Sequence, residues 1–170
     1  MEHINIEHFK CFVDTTVPLN RLTVLAGTNG NGKSTVIQAL LFLRQTIEQC
    51  ADFGFTYNHW KTDDFRKNNI PLNGPFCLSL GNSDFVLNRN AEQYIRLGID
   101  DSNYEFSVKY SVDNKEPQLW LYAEEFISNL NEIPPLFKHE VYYLNAERIG
   151  PRIQQNLQHS NFPHAGWHGE

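Results

Sequence analysis

The residues best suited to chemistry are Lys33, Ser34 and Thr35, set directly behind glycines at positions 27, 30 and 32. Gly27, four further residues, then Gly32-Lys33-Ser34 give the spacing G-x-x-x-x-G-K-S, the pattern of a loop that cradles phosphate. Gly27, Gly30 and Gly32 let the backbone take conformations closed to other residues and come close to a phosphate without a Cβ in the way. Successive N–H groups of Asn29, Gly30, Asn31 and Gly32 would point inward as an anion nest, and a helix starting behind them would add the positive end of its dipole. Lys33 would then reach the β- and γ-phosphates of a nucleotide, and the Ser34 hydroxyl would ligate the Mg that accompanies it, with Thr35 beside it.

Such a loop works only if a strand delivers it and a helix receives it. Residues 22–26 read Leu-Thr-Val-Leu-Ala, the continuous apolar run of a strand buried on both faces. Behind the loop, Val36, Leu40, Leu43 and Ile47 recur at helical spacing, which predicts a helix from Lys33 or Ser34 to about Cys50. Its first turns are apolar almost all round, so it should lie buried against a sheet. Gln45, Glu48 and Gln49 mark the end expected to return to solvent, and Gln38 can face inward only if something pairs with it.

The 170 residues fit one domain, with 41% apolar and 20% charged residues, ordinary for a globular chain. Fourteen basic against twenty acidic residues give a net charge of −6, so no strongly basic nucleic-acid face is indicated. Cys11, Cys50 and Cys77 are odd in number and lack metal or redox spacing, which points to reduced thiols in a cytoplasmic protein. The start, Met1-Glu2-His3-Ile4-Asn5, has no signal-peptide character, and the apolar run 39–43 is far short of the ~20 residues needed to span a bilayer. No membrane partner is expected.

In chain order, Ile4 and Ile6 alternate with Asn5 and Glu7 as a first strand, which residues 9–13 continue, and a second short strand runs through Val17 to Leu19. Lys10 on this edge is either a contact to a nucleotide base or phosphate or a solvated edge lysine. Residues 51–92 read as a long irregular connection, with short strands at 76–80 and 85–87. Residues 93–122 alternate with period two as a β-meander, with turns at 100–103 and 113–117. Residues 124–131 suggest a short helix broken by Pro134-Pro135, and residues 141–144 one more buried strand returning to the main sheet. The segments so defined are a P-loop core (1–50), a connection (51–92), the meander (93–122), the return to the core sheet (123–152) and a tail (153–170). Arg148 and Arg152, beside Pro151, meet either phosphate or a partner, or are ordinary surface arginines. His159, His164 and His168 lack further ligands for zinc and read as a solvated tail.

A working NTPase also needs an acidic site for magnesium and a group to position water, usually at the end of another apolar strand. The nearest candidate, Leu119 to Glu125, is poor: Glu124 stands where aspartate is expected, and the strand alternates like the meander. No catalytic residue is assigned on this ground, since neither a Walker B strand nor a signature motif is found.

The stretches 8–12, 19–34, 72–74 and 143–152 together resemble the N-terminal part of bacterial AAA-type ATPases with an ABC-like head, the relatives of SMC, RecF and OLD proteins. That resemblance implies an α/β fold: a P-loop NTPase N-terminal lobe with a mixed sheet around the P-loop helix and an antiparallel β-meander subdomain. It implies an ATP-Mg site completed by a C-terminal lobe and by a second head in a homodimer, which would supply the signature motif. Hydrolysis then belongs to the full-length or assembled form, the chain being a truncated or split lobe. Asn145 or Glu147 would occupy the loop that senses the γ-phosphate. DNA maintenance or phage defence, with an effector nuclease or nucleic acid as partner, is the implied setting. The competing readings are a nucleotide-binding interaction module without turnover and a small P-loop kinase or GTPase; the latter would need a motif such as N-K-x-D, and none occurs.

Overall fold

The computed structural model describes residues 1–51, 65–74, 76, 78–90, 93–112, 116–130, 134–138 and 141–143. Alternation of Ile4 and Ile6 with polar neighbours builds strand β1 (Glu2–Glu7), whose isoleucines are buried. Strand β2 (Asp14–Leu19) returns antiparallel to it, Ile4 facing Val17 and Ile6 facing Thr15. The chain does not extend β1 through residues 9–13 as the sequence suggests. His8 and Lys10 take positive φ, 58° and 53°, and fold that stretch into a tight turn.

Helix α1 (Lys33–Cys50) forms where the helical spacing predicts. Strand β3 (Asn68–Pro71), a two-residue pair β4 (Asn73–Gly74) and β5 (Leu78–Ser79), and the short helix α2 (Ser83–Val86) follow. The connection is therefore less irregular than its composition implies, and residues 85–86 are helical rather than strand. Asn82 explains this locally: its side chain accepts the Asp84 N–H, an N-cap that starts the turn.

The meander is strands β6 (Tyr94–Asp101), β7 (Tyr104–Ser111) and β8 (Trp120–Leu130). The two-residue connection at Ser102 and Asn103 agrees with the expected turn. The meander is not a separate subdomain. β6 pairs with β1, and one six-stranded sheet runs β2-β1-β6-β7-β8-β3, with every pairing antiparallel among the described residues. The expected mixed sheet is replaced there by this antiparallel one.

The predicted helix at 124–131 is instead the second half of β8. Lys109 faces Glu125 while the next residue, Tyr110, faces Ala123, so Glu124 is an extra residue, a β-bulge. Leu121 and Ala123 are buried before the bulge, and Phe126 packs on the core after it, so the alternation changes phase by one residue. That phase change is what made the sequence look non-extended. Helix α3 (Pro135–Lys138) starts at the proline expected to break a helix, a position where its missing N–H costs nothing. Val141, Tyr142 and Tyr143 form no strand, and Tyr142 is 55% exposed; Leu144 and everything after it, with Asn145, Glu147, Arg148, Arg152 and the histidine tail, lie outside the described residues.

One face of the sheet and α1 share a single core, with Ile4, Leu97, Phe106 and Val108 against Phe42, Leu43 and Ile47. Gln45, expected at the solvent end, is 1% exposed and donates through Nε2 to the Pro71 carbonyl at 3.0 Å. α1 is thereby tied to the far edge strand of the sheet.

Candidate functional site

Where β2 ends, the chain leaves the sheet. Residues 22–26 do not form the doubly buried strand their composition predicts: they are assigned no strand, and Leu22 and Val24 are 81% and 76% exposed. The apolar character is present and the neighbouring strands that would bury it are absent from the described residues. Thr23 is anchored by its hydroxyl, which accepts the Asn20 N–H at 2.9 Å, and Leu25 is partly buried against the core.

The glycine loop follows. Gly27, Gly30 and Gly32 all have positive φ, 149°, 87° and 78°. At Gly32 the requirement is also steric, because a Cβ would lie 2.5 Å from Phe12 Cζ and 3.0 Å from Cys11 Sγ. The turn after β1 thus packs directly on the last loop residue. Gly32 caps α1 in the left-handed region; the helix end carries no side-chain cap and no acidic residue in its first turn. The first N–H groups of a helix have no partner within it, so this end is left with donors and a positive dipole for an outside anion.

Lys33 curls over the loop. Its Nζ donates to the carbonyls of Gly27 at 2.9 Å and Thr28 at 2.7 Å, closing the loop into a ring. Asn29, Gly30 and Asn31 are exposed, as is Ser34, while Thr35 is half-buried with its Oγ1 3.8 Å from Cys11 Sγ. The sequence-predicted set Gly27, Asn29, Gly30, Asn31, Gly32, Lys33, Ser34 and Thr35 is therefore one contiguous feature at the head of α1, exposed at Gly27, Asn29, Gly30, Asn31 and Ser34, half-buried at Lys33 and Thr35, and buried at Gly32.

Lys10 reaches the same helix from the turn. Its Nζ donates to Gln38 Oε1 at 2.8 Å, which supplies the partner that Gln38 needs in order to face inward. Burial lowers the Lys10 pKa, and the neighbouring Cys11 only partly offsets this. Among the described residues no carboxylate forms an ion pair with this amine. A half-buried cation bonded to a neutral amide retains capacity for an anionic ligand.

The weak acidic candidate lies within β8. Glu124 is the bulge residue of β8, and Glu125 stands across from Lys109, which is itself across from Arg96 on β6, whose Nη1 donates to Glu7 Oε2 at 3.3 Å. These carboxylates belong to a charged row on the sheet. The described residues hold no cluster that could bind a metal through side chains alone, and no helix long and apolar enough to cross a membrane. Sequence reasoning missed the packing of Phe12 and Cys11 on Gly32, and the role of Asn88 behind Lys10; Asn88-Arg89-Asn90 carries only a turn signal.

The sequence matches the family of the AAA ATPase domain over residues 1–161. No curated protein and no solved structure matches it. The match takes in the glycine loop, α1, Lys10 and the whole sheet, so the geometry above sits within an ATP-binding domain type. The chain belongs to the AAA ATPase domain family.

Proposed function

We propose that residues 27–35 are the Walker A site of this ATPase domain, holding the phosphates of ATP. The observation that carries the reading is the uncapped N-terminus of α1 behind a loop of positive-φ glycines, with Lys33 folded over it. The loop N–H groups and the helix end supply donors and dipole, and Lys33 exchanges its two carbonyl partners for phosphate oxygens. The exposed Ser34 hydroxyl is the group that would hold Mg, whose part is to neutralise charge on the β- and γ-phosphates. Lys10, poised beside the helix, is a further candidate contact, and so is Asn145, which lies outside the described residues.

We further propose that turnover needs a C-terminal lobe and a second head, as in SMC, RecF and OLD proteins. Support comes from Leu22 and Val24, which are exposed ahead of the loop, and from Lys33, which forms no ion pair with a carboxylate among the described residues. DNA maintenance or phage defence, with nucleic acid or an effector nuclease as partner, follows from the same likeness. The free thiols Cys11 and Cys50 accord with the cytoplasm.

Replacing Lys33 with alanine should weaken ATP binding by roughly 10- to 100-fold, the scale of lost charge-assisted hydrogen bonds. Isothermal titration with ATP-Mg measures this, and an unchanged affinity overturns the Walker A assignment. A parallel titration with GTP separates an ATPase lobe from a GTPase.

A further inference from the structure

Asn88 lies far from the glycine loop in sequence, yet its side chain, 8% exposed, is committed to the turn that carries Lys10. Its Nδ2 donates to the Lys10 carbonyl at 2.8 Å, its Oδ1 accepts the Asn90 N–H at 2.9 Å, and its backbone N–H donates to the His8 carbonyl at 2.9 Å. The Lys10 N–H donates in turn to the Val86 carbonyl at 2.7 Å, and Phe9 bridges Leu87. Residues 8–10 are thus clamped by residues 86–88.

The clamp holds what the chain alone would not. His8 and Lys10 sit at φ 58° and 53°, a region that non-glycine residues keep only where the surroundings enforce it. Had β1 simply continued, successive side chains would have alternated across the sheet. The left-handed turn instead brings Lys10 Nζ onto Gln38 of α1, with Cys11 and Phe12 against Gly32.

We propose that Asn88 is a positioning residue of the ATP site: by clamping residues 8–10 it fixes the Lys10 turn, and with it the place of the Lys10 ammonium beside the phosphate-loop helix. The inference rests on the nucleotide reading of Lys10 and of the loop. Asn88 itself touches no phosphate. Its effect on ATP therefore passes through this turn, and the share carried by Lys10 disappears when the Lys10 charge is gone, leaving only what the turn exerts through Cys11 and Phe12 on Gly32.

A double-mutant cycle on the full chain tests this, with ATP-Mg affinity measured for wild type, N88D, K10M and the pair. N88D keeps an oxygen for the Asn90 N–H but loses the donor to the Lys10 carbonyl; K10M keeps the stem and removes the charge. K10M should weaken ATP about tenfold, the scale of one charge-assisted contact. N88D should weaken it about fivefold alone and less than about twofold in the K10M background. An equal loss in both backgrounds, or none in wild type, overturns the proposal. K33A is the control for the underlying reading: if it binds ATP like wild type, the loop assignment itself falls, whereas an additive cycle with K33A inactive removes only the role of Asn88. Should N88D fold poorly, N88A takes its place. In either variant without nucleotide, reductive methylation of Lys10, followed by mass spectrometry, should run severalfold faster than in wild type, and an unchanged rate counts against the clamp.

Discussion

Helix α1 joins two regions built on opposite terms. Around its second half, from Leu41 to Cys50, most polar groups that enter the interior are paired: Thr46 donates to the Phe42 carbonyl and shares a 2.8 Å bond with the Tyr110 hydroxyl, and Arg44 pairs with Glu48 at 2.6 Å and donates to the Leu136 carbonyl; the buried Gln45 Oε1 is the exception. At its first turn the reverse holds. The helix end has no side-chain cap, Lys33 bonds to its own loop, and Leu22 and Val24 lie exposed ahead of it. The contrast teaches that the sheet and α1 satisfy most of what they bury, while the loop leaves the donors of the helix end without a side-chain partner.

The largest expected effect should separate the regions outright. Phe42 is fully buried against Tyr110, with ring centroids 5.3 Å apart, so F42A should cost about 3–5 kcal/mol in urea unfolding. Replacing both Leu22 and Val24 with serine should change stability by no more than about 0.5 kcal/mol, since their exposed side chains bury little. A loss of several kcal/mol in that pair would mean the segment is packed after all, and the comparison would break.

The junction between the regions is Gly32. A Cβ there meets Phe12 at 2.5 Å and must adopt φ 78°, so G32A should cost about 1–3 kcal/mol, and F12L, by giving space, should recover part of it. Inside the sealed half, Y110F removes one hydroxyl of a buried pair and should cost about 1 kcal/mol in the same assay.

The sequence made the local elements of this molecule more legible than their packing. G-x-x-x-x-G-K-S, the helix behind it and the meander were readable because each is a local pattern with a fixed period. Residues 22–26 were misread because apolar composition states that a segment can be buried, not that it pairs as a strand. Glu124 hid the length of β8, since a single bulge residue inverts the alternation on which strand reading depends. The joining of β1 to β6 and the reach of Asn88 to Lys10 are long-range pairings, with no periodic trace in either segment.

The smallest effect sharpens the comparison at its chemical end, through two thiols. Cys50, 1% exposed at the end of α1, has its pKa pushed up to about 12 from an ordinary 9.0 by burial, whereas Cys11 is exposed beside the loop. Alkylation needs the thiolate, so a rise of that size should slow Cys50 about 1,000-fold relative to an unfolded thiol at pH 8. Iodoacetamide labelling read by peptide mass spectrometry should therefore mark Cys11 first. The same shift fixes a sign for stability. A folded pKa above the unfolded one means the folded state holds the proton more tightly, so this contribution is complete below pH 9.0 and is lost as pH rises toward about 12. C50A should flatten that part of the alkaline profile, to which Tyr104 and Tyr110, both raised chiefly by burial, contribute with the same sign. Equal labelling of Cys50 and Cys11 in the native protein would show that the sealed half of α1 opens as readily as the loop.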